Sequence, residues 1–324
     1  MNRQKVKPMQ SDRKMPANGE ILDIASYLLL DGYQRTTLSE AVAPHRVHYS
    51  DEADEQRLMQ CQLVFGNPPP SRLPLMRQLS WVQLGSTGFG EYAAIEWPDS
   101  VPLFSRLEGF YADPVAESCL AGILSLLRGV NRCVELQSRR EWVGHSLRPD
   151  LGLLSDRDVV LFGYGAINRR LAELLAAFRC RVSSFGSDWT PASMDPCLRA
   201  ADVVVTVAPG TPESDNVFDA GRLALLHSSA IFVNAGRGSV VDEAALDNML
   251  RQGKLAGAAI DVTVEEPLPE GHPFWDCPNL ILTQHSAGGH ADEADRQVAF
   301  VLANFRRYLE GAELVGVADI RRGY

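Results

Sequence analysis

Residues 159–168 read VVLFGYGAIN, a run of apolar residues that ends in two glycines one residue apart. The segment NRRLAELLAAFR, residues 168–179, follows at once and has its leucines at helical spacing. A strand that turns on glycines into a helix is where a dinucleotide pyrophosphate lies on a helix N-terminus. Gly163 permits the tight turn, and Gly165 lets the backbone approach a phosphate. The stretch therefore predicts the first βα unit of a dinucleotide-binding sheet.

Short β-branched or apolar runs continue along the second half of the chain and alternate with helix-period segments, as in βαβ units. The six predicted strands are VVLFG (159–163), RVSSF (181–185), VVVTVA (203–208), IFVNA (231–235), GAAIDV (257–262) and LILTQ (280–284). Several are apolar at consecutive positions, which is typical of a parallel sheet covered by helices on both faces. The pattern predicts a Rossmann-type, doubly wound α/β sheet.

The first hundred residues contain weaker strands, VHYS, QLVFG and LSWVQLG, and an amphipathic helix follows the last strand of the second half. A length of 324 residues corresponds to about two domains. We predict a smaller, flavodoxin-like α/β substrate domain of residues 1–112, completed by residues 291–324. The dinucleotide-binding domain of residues 113–290 is inserted into it. The apolar segment 114–136 predicts one long buried helix, and residues 114–129 of it a part of a dimer interface.

The composition narrows the classes of partner. Lys+Arg 31 against Asp+Glu 41 gives a net charge of −10, which argues against nucleic acid or an anionic membrane. No apolar run approaches the ~20 residues of a membrane span. The six cysteines show no CxxC spacing, so we predict no metal site and a cytoplasmic location. The first sixteen residues predict a loose basic tail and contain no signal-peptide pattern.

Titratable residues follow the later strands of the predicted sheet, where ligands of open α/β sheets bind. Arg237 follows the fourth strand between two glycines, and its guanidinium can bind a planar carboxylate through two hydrogen bonds. Asp261 ends the fifth strand, Glu266 lies in the loop after it, and His285 ends the sixth. Histidine exchanges protons near neutral pH. These positions predict an anion site with an acid/base group beside it.

The ordered series LSWVQLGSTGFG, DPVAESCLAGILSL, VVLFGYGAIN, VAPGTPESDNVF, NAGRGSVVDEAAL, AAIDVTVEEPLP and LILTQHSAGG resembles the NAD(P)-dependent D-isomer-specific 2-hydroxyacid dehydrogenases. That family includes phosphoglycerate dehydrogenase and glyoxylate/hydroxypyruvate reductase. The resemblance implies an oxidoreductase that transfers a hydride between NAD(P)H and a small 2-oxo or D-2-hydroxy acid, of the glyoxylate or hydroxypyruvate type. It also implies a homodimer. The alternative is an NAD(H)-sensing regulatory or corepressor-like binding protein on the same fold.

The resemblance also implies residue roles. Arg237 anchors the substrate carboxylate, His285 is the acid/base, and Glu266 is its partner. The loop around Thr87 and Gly88 resembles the one that also binds the carboxylate. The implied cofactor-binding residues are Gly163, Gly165, Ala166, Ile167, Gly186, Ser187, Asp188, Ala208, Pro209, Ala235, Asp261 and Ala287. Among these, Asp261 is similar to the aspartate that faces the nicotinamide carboxamide.

The chain departs from the family pattern at three positions. Asn168 replaces the third glycine of GxGxxG, and Gln284 replaces the proline common before the histidine. Gly186 stands where an acidic residue normally binds the adenosine ribose, and Asp188 follows two residues later. NADP-binding members usually offer an arginine nearby, and residues 186–193 contain none. The sequence therefore favours NAD(H) over NADP(H).

Overall fold

A computed structural model describes residues 19–97 and 101–322, so the predicted basic tail lies outside the described residues. The strands are β1 Asp23–Tyr27, β2 Arg46–Tyr49, β3 Leu63–Gly66, β4 Trp81–Gln83, β5 Leu103–Ser105, β6 Asp158–Phe162, β7 Arg181–Phe185, β8 Val203–Thr206, β9 Ile231–Asn234, β10 Gly257–Ile260 and β11 Leu280–Leu282. The α-helices are α1 Gly32–Val42, α2 Glu55–Met59, α3 Ala112–Arg128, α4 Val130–Arg139, α5 Ala166–Ala176, α6 Pro191–Ala200, α7 Ala220–Leu223, α8 Glu243–Arg251 and α9 Glu293–Leu309. Short 3₁₀ turns lie at Pro70–Leu75, Gly90–Tyr92, Gly144–Asp150, Gly238–Val240, Pro273–Asp276 and Ile320–Arg322.

The chain divides into two compact units. The first comprises Met1–Phe110 together with His290–Tyr324, and the second comprises Tyr111–Gly289. The first unit holds a parallel sheet in the order β2-β1-β3-β4-β5. Ile24 and Phe65 pack on α9 in one apolar cluster, whereas Ala25 and Val64 belong to a cluster on the other face. This alternation follows from the two-residue period of a strand and buries both faces of the sheet.

The second unit holds a parallel sheet in the order β11-β10-β9-β8-β6-β7. Val160 and Phe232 face one apolar cluster, and Val159 and Ile231 face the other. From β6 the chain moves outward to β7 and then returns to β8, so the direction of winding reverses beside β6. Such a reversal opens a crevice at the carboxyl ends of the strands, where ligands bind in open α/β sheets.

The predicted fold class is confirmed: two parallel α/β sheets are present, and each of the six predicted strands of the second sheet forms. The single helix predicted over 114–136 is wrong, because the structure has two helices there. Gly129 takes φ +64°, a left-handed conformation that ends α3 and begins α4. The apolar face of α3 packs on α5, β9 and β10 of its own unit, whereas α4 buries none of its residues.

Within residues 19–97 and 101–322, no helix is both long and apolar enough to cross a bilayer.

Candidate active site

The glycine turn after β6 has the geometry that a phosphate-binding turn requires. Gly163 takes φ +83°, and a Cβ placed on it would lie 2.6 Å from the backbone nitrogen of Ala208. Gly165 is the N-cap of α5, whose first residues are Ala166 and Ile167, and apart from its chain neighbours no atom of the described residues lies within 4 Å of where its Cβ would be. The first N–H groups of a helix have no partner within the helix and can bind an anion. The open approach to this helix N-terminus therefore fits a dinucleotide pyrophosphate.

Asn168 compensates for the missing third glycine. It is fully buried in the first turn of α5, and its Nδ2 donates to the carbonyl oxygens of Phe162 at 2.9 Å and Gly163 at 3.3 Å. A glycine at this position allows close packing of helix on strand. The asparagine instead fixes the helix to the turn through hydrogen bonds.

The turns that follow β6, β8 and β9 lie against one another. Ala208, which precedes Pro209, has its backbone nitrogen close to Gly163. On its other side, a Cβ on Gly236 would lie 2.6 Å from the Ala208 carbonyl oxygen. Ala235 precedes Gly236, and its N–H bonds to the Thr206 carbonyl at 3.0 Å. The structure thus brings Gly163, Ala208 and Ala235, all predicted cofactor-binding residues, to one sheet edge.

The turn after β7 holds Gly186, Ser187 and Asp188. The Phe185 carbonyl accepts the N–H groups of Gly163 and Tyr164, so this turn is joined to the glycine turn. An Asp188 carboxylate oxygen lies 3.5 Å from where a Cβ on Gly186 would be. The carboxylate of Asp188 therefore bends back beside position 186, where the family acid is absent.

Arg237 follows β9 in an extended conformation, and its side chain is exposed. One guanidinium nitrogen donates to the Gly236 carbonyl at 2.7 Å. No carboxylate in the described parts of the chain forms an ion pair with it. Buried Asn234 fixes the turn, because its amide donates to the Arg237 carbonyl at 3.0 Å and its Oδ1 accepts the Gly236 N–H at 3.0 Å. The turn is thus fixed, and the other guanidinium N–H groups can donate hydrogen bonds to an anion.

His285 and Glu266 form a hydrogen-bonded pair. Nδ1 of His285 lies 2.7 Å from Oε2 of Glu266, and the side chains are 52% and 37% exposed. An ionised carboxylate only accepts, so Nδ1 donates and the Nε2 atom faces away from this bond. Among the described residues Nε2 has no hydrogen-bond partner. The imidazole can thus give a proton to, or take one from, a ligand at Nε2.

Glu266 is arranged to stay ionised. Burial raises the pKa of its carboxyl, but the hydrogen bonds from His285 and the Thr263 N–H, with the charges of His285 and Arg237, outweigh that effect. The net pKa of Glu266 lies below its ordinary value. The Thr263 N–H donates to Oε1 at 3.0 Å, which leaves Oε2 for the histidine. Glu266 thus places a negative charge 2.7 Å from Nδ1 of His285.

Asp261 holds the segment that carries His285. The histidine backbone has φ +50°, a conformation rare for residues other than glycine and common at functional sites. Oδ1 of Asp261 accepts the Thr283 hydroxyl at 2.5 Å and the Ser286 N–H at 3.0 Å, and both carboxylate oxygens lie 3.2 Å from the Ala287 nitrogen. The Asp261 carbonyl accepts the His285 N–H at 2.9 Å. The predicted role of Asp261 toward a carboxamide stays a prediction.

Thr87 and Gly88 lie in the first unit, in the loop after β4. Thr87 Oγ1 donates to the Leu107 carbonyl at 3.0 Å, and Ser86 Oγ donates to the Gly88 carbonyl at 2.7 Å. The Asn67 amide in turn donates to Ser86 Oγ at 2.8 Å. The loop is therefore fixed by side chains of its own unit, and its part in carboxylate binding stays a prediction.

Sequence analysis missed several residues that support this site, among them Asn234 and Thr283. Both are polar residues at the ends of apolar strands, and Asn234 is only 2% exposed. A buried polar group must find a hydrogen-bond partner, so a polar residue within such a run is a usable signal. Which partner it finds depends on the turn that follows.

Comparison with known proteins agrees with this geometry. The family model "D-isomer specific 2-hydroxyacid dehydrogenase, NAD binding domain" matches residues 120–287. Glyoxylate/hydroxypyruvate reductase B of Citrobacter koseri is 31% identical over 255 residues, 74% of this chain and 77% of the relative. A D-isomer specific 2-hydroxyacid dehydrogenase family protein from Aeromonas salmonicida superposes with a TM-score of 0.77 at 26% identity, covering 93% of this chain and all of that one.

A third relative was solved with a bound nucleotide. It is a D-isomer specific 2-hydroxyacid dehydrogenase from Xanthobacter autotrophicus in complex with NADPH and MES, with a TM-score of 0.76 at 26% identity. The match covers 94% of this chain and all of that one. The fold, the glycine turn and these relatives define the class as an oxidoreductase that uses a nicotinamide cofactor. The chain belongs to the D-isomer-specific 2-hydroxyacid dehydrogenase family, and the predicted resemblance is confirmed.

Proposed function

We propose that the protein reduces a small 2-oxo acid of the glyoxylate or hydroxypyruvate type with NADH, in the cytoplasm. The observation that carries the proposal is the His285–Glu266 pair at 2.7 Å, with Nε2 of the histidine free among the described residues. Residues 113–290 are the dinucleotide-binding domain of this proposal. Residues 1–112 and 291–324 form its substrate domain, in which Thr87 and Gly88 bind the carboxylate. The similarity to glyoxylate/hydroxypyruvate reductase B of Citrobacter koseri supports this class of substrate.

Each residue of the pair has a separate task in the reaction. A bound nicotinamide supplies the hydride that the carbonyl carbon receives. Protonated His285 donates its Nε2 proton to the carbonyl oxygen, which would otherwise become an alkoxide. Glu266 accepts the Nδ1–H bond throughout and so fixes the orientation and the tautomer of the ring. Arg237 binds the substrate carboxylate and so orients the carbonyl group.

The preference for NADH follows from the turn after β7. The Asp188 carboxylate beside position 186 can accept a hydrogen bond from the ribose 2′-hydroxyl of NADH. The same negative charge repels the 2′-phosphate of NADPH. No arginine between residues 186 and 193 offsets that repulsion.

A panel of substrates and cofactors tests the proposal. We expect glyoxylate and hydroxypyruvate to be reduced with a kcat/KM for NADH about 10-fold or more above that for NADPH, a difference of about 1.4 kcal/mol. Replacing Asp188 by asparagine should narrow this ratio. The control is Asp219→Asn at the N-cap of α7, which should leave the ratio unchanged. A preference for NADPH would contradict the cofactor assignment. Tight NADH binding with no turnover of any 2-oxo acid would favour the sensor alternative.

We also propose that the protein is a homodimer. One face of α3 packs on α5, β9 and β10 of its own unit, and the interface predicted on residues 114–129 stays a prediction. The segment that follows exposes large apolar side chains at Val130, Val134, Trp142, Val143 and Leu153. Such a concentration of exposed apolar area is typical of a surface between protein chains.

Mass measurement in solution tests the dimer. We expect twice the chain mass for the wild type. Trp142→Ser should shift the protein toward the monomer, because it removes a 96%-exposed aromatic ring from the proposed interface. Leu29→Ser is the control, since Leu29 is 94% exposed and lies in the other unit. A wild type that runs as a monomer at micromolar concentration would contradict the proposal.

A further inference from the structure

The loop that carries Glu266 is anchored by a second carboxylate, which comes from a different element. Glu243 is the first residue of α8, and its Oε1 accepts the backbone N–H of Val264 at 2.8 Å. The preceding N–H, that of Thr263, is taken by Oε1 of Glu266. Two successive amides of the loop therefore donate to two different glutamates. Glu266 belongs to the pair with His285, whereas Glu243 bonds to the backbone of the loop.

His272 lies beside the other oxygen of Glu243. Nε2 of His272 is 3.4 Å from Oε2 of Glu243, and the two side chains are 20% and 17% exposed. Nδ1 of the same ring accepts the Phe274 N–H at 3.2 Å, which fixes the ring. The Glu243 carboxylate is thus held through Oε1 by the Val264 N–H, while Oε2 lies within ion-pair distance of the His272 ring.

The turn after Arg237 closes the other side of the loop. A Cβ on Gly238 would lie 2.0 Å from the carbonyl carbon of Thr263 and 2.2 Å from the nitrogen of Val264. No side chain can be accommodated at that distance, so glycine is required there. The Thr263–Val264 backbone is consequently enclosed by Gly238 and Glu243, both of which follow Arg237 closely in the chain.

We propose that Glu243 is a positioning residue for the reaction: by accepting the Val264 N–H it fixes the loop of residues 263–266 so that Oε2 of Glu266 meets Nδ1 of His285. The inference rests on the proposed function, in which that pair delivers the proton. Glu243 has no hydrogen bond with His285 and no assigned contact with the substrate. It acts only through the loop that carries Glu266. The carboxylate at position 243 thereby couples the turn that bears Arg237 to the loop that bears Glu266.

Two substitutions at one position separate this role from general stability. Glu243→Ala removes the acceptor of the Val264 N–H and should lower kcat about 10- to 100-fold, as small displacements of a catalytic group do, with little change in NADH affinity. Glu243→Gln keeps an oxygen in the same place and should restore most of the kcat. Asp247→Ala is the matched control: Asp247 lies on the same helix, is 16% exposed and pairs with Arg251. It should leave kcat unchanged.

A double-mutant cycle with Glu266→Gln completes the test. If Glu243 acts through the carboxylate of Glu266, Glu243→Ala should lower kcat much less in the Glu266→Gln background than in the wild type. Equal losses in both backgrounds, or equal losses for Glu243→Gln and Glu243→Ala, would overturn the inference. A wild-type kcat for Glu243→Ala would also overturn it, while the proposed function would stand. Wild-type activity of Glu266→Gln and His285→Ala would instead refute the proposed function.

Discussion

His285→Ala should lower kcat for 2-oxo acid reduction by about 10²- to 10⁴-fold, the range typical of a lost general acid. In the proposed mechanism the Nε2 atom of His285 donates the proton, and alanine leaves the developing alkoxide without a donor. The KM for the 2-oxo acid should change little, because the mechanism assigns binding of the carboxylate to Arg237. Steady-state kinetics at saturating NADH measures both quantities.

Glu266→Gln gives the internal comparison for that loss. The amide oxygen can still accept the Thr263 N–H, so the loop is kept in place. The amide nitrogen then faces Nδ1 of His285, and because it is a donor it cannot accept the Nδ1–H bond. What is removed is therefore the negative charge beside the ring together with the acceptor at Nδ1. We expect an intermediate kcat, below the wild type and above His285→Ala. A His285→Ala variant with a kcat within a few-fold of wild type would show that another group supplies the proton.

The second sheet was predictable from the sequence because its strands are buried on both faces. Runs such as VVVT in β8 are apolar or β-branched at consecutive positions, and few other structures produce that pattern. In the first unit the strand β1, DIASY, was not predicted. It carries a serine and begins with an aspartate, so its burial comes from the neighbours β2 and β3 and not from its own composition.

The split between α3 and α4 depends on backbone conformation rather than on hydrophobicity. Residues on both sides of Gly129 have helical spacing, and glycine within a helical pattern is often tolerated. Gly129 has a left-handed φ, and a Cβ there would also lie 2.9 Å from the Leu151 side chain, so both its conformation and its surroundings favour glycine. The hydrophobic pattern of the sequence does not predict that contact.

For the candidate site, the sequence could place Arg237, Glu266 and His285 at one edge, because parallel strands end together there. It could not reveal which groups orient them. Glu243 lies 21 residues from its partner Val264, and Asp261 bonds to Ser286 across 25 residues. These pairs exist because two loops meet in three dimensions. The sequence around Glu243 or Asp261 does not indicate these partners.

Arg237→Ala should produce the largest loss in substrate binding. The guanidinium is exposed, uses one donor on the Gly236 carbonyl at 2.7 Å, and has no ion-pair partner in the described residues. Removing one member of a hydrogen-bonded charge pair between protein and ligand typically costs 2–5 kcal/mol, or about 30- to 5,000-fold in kcat/KM. We expect most of this loss to appear as a raised KM for the 2-oxo acid, because the carboxylate is bound in the ground state as well as in the transition state.

The controls for Arg237 separate charge from geometry. Arg237→Lys retains the positive charge but cannot donate two parallel hydrogen bonds, so it should recover only part of the loss. The affinity for NADH, measured by fluorescence titration, should be the same in all three proteins, since both hydrogen bonds from the Asn234 side chain to the turn remain when the guanidinium is replaced. An unchanged KM in Arg237→Ala would show that the carboxylate is bound elsewhere. Equal losses in NADH affinity and in 2-oxo acid binding would mean instead that the substitution had collapsed the turn between β9 and α8.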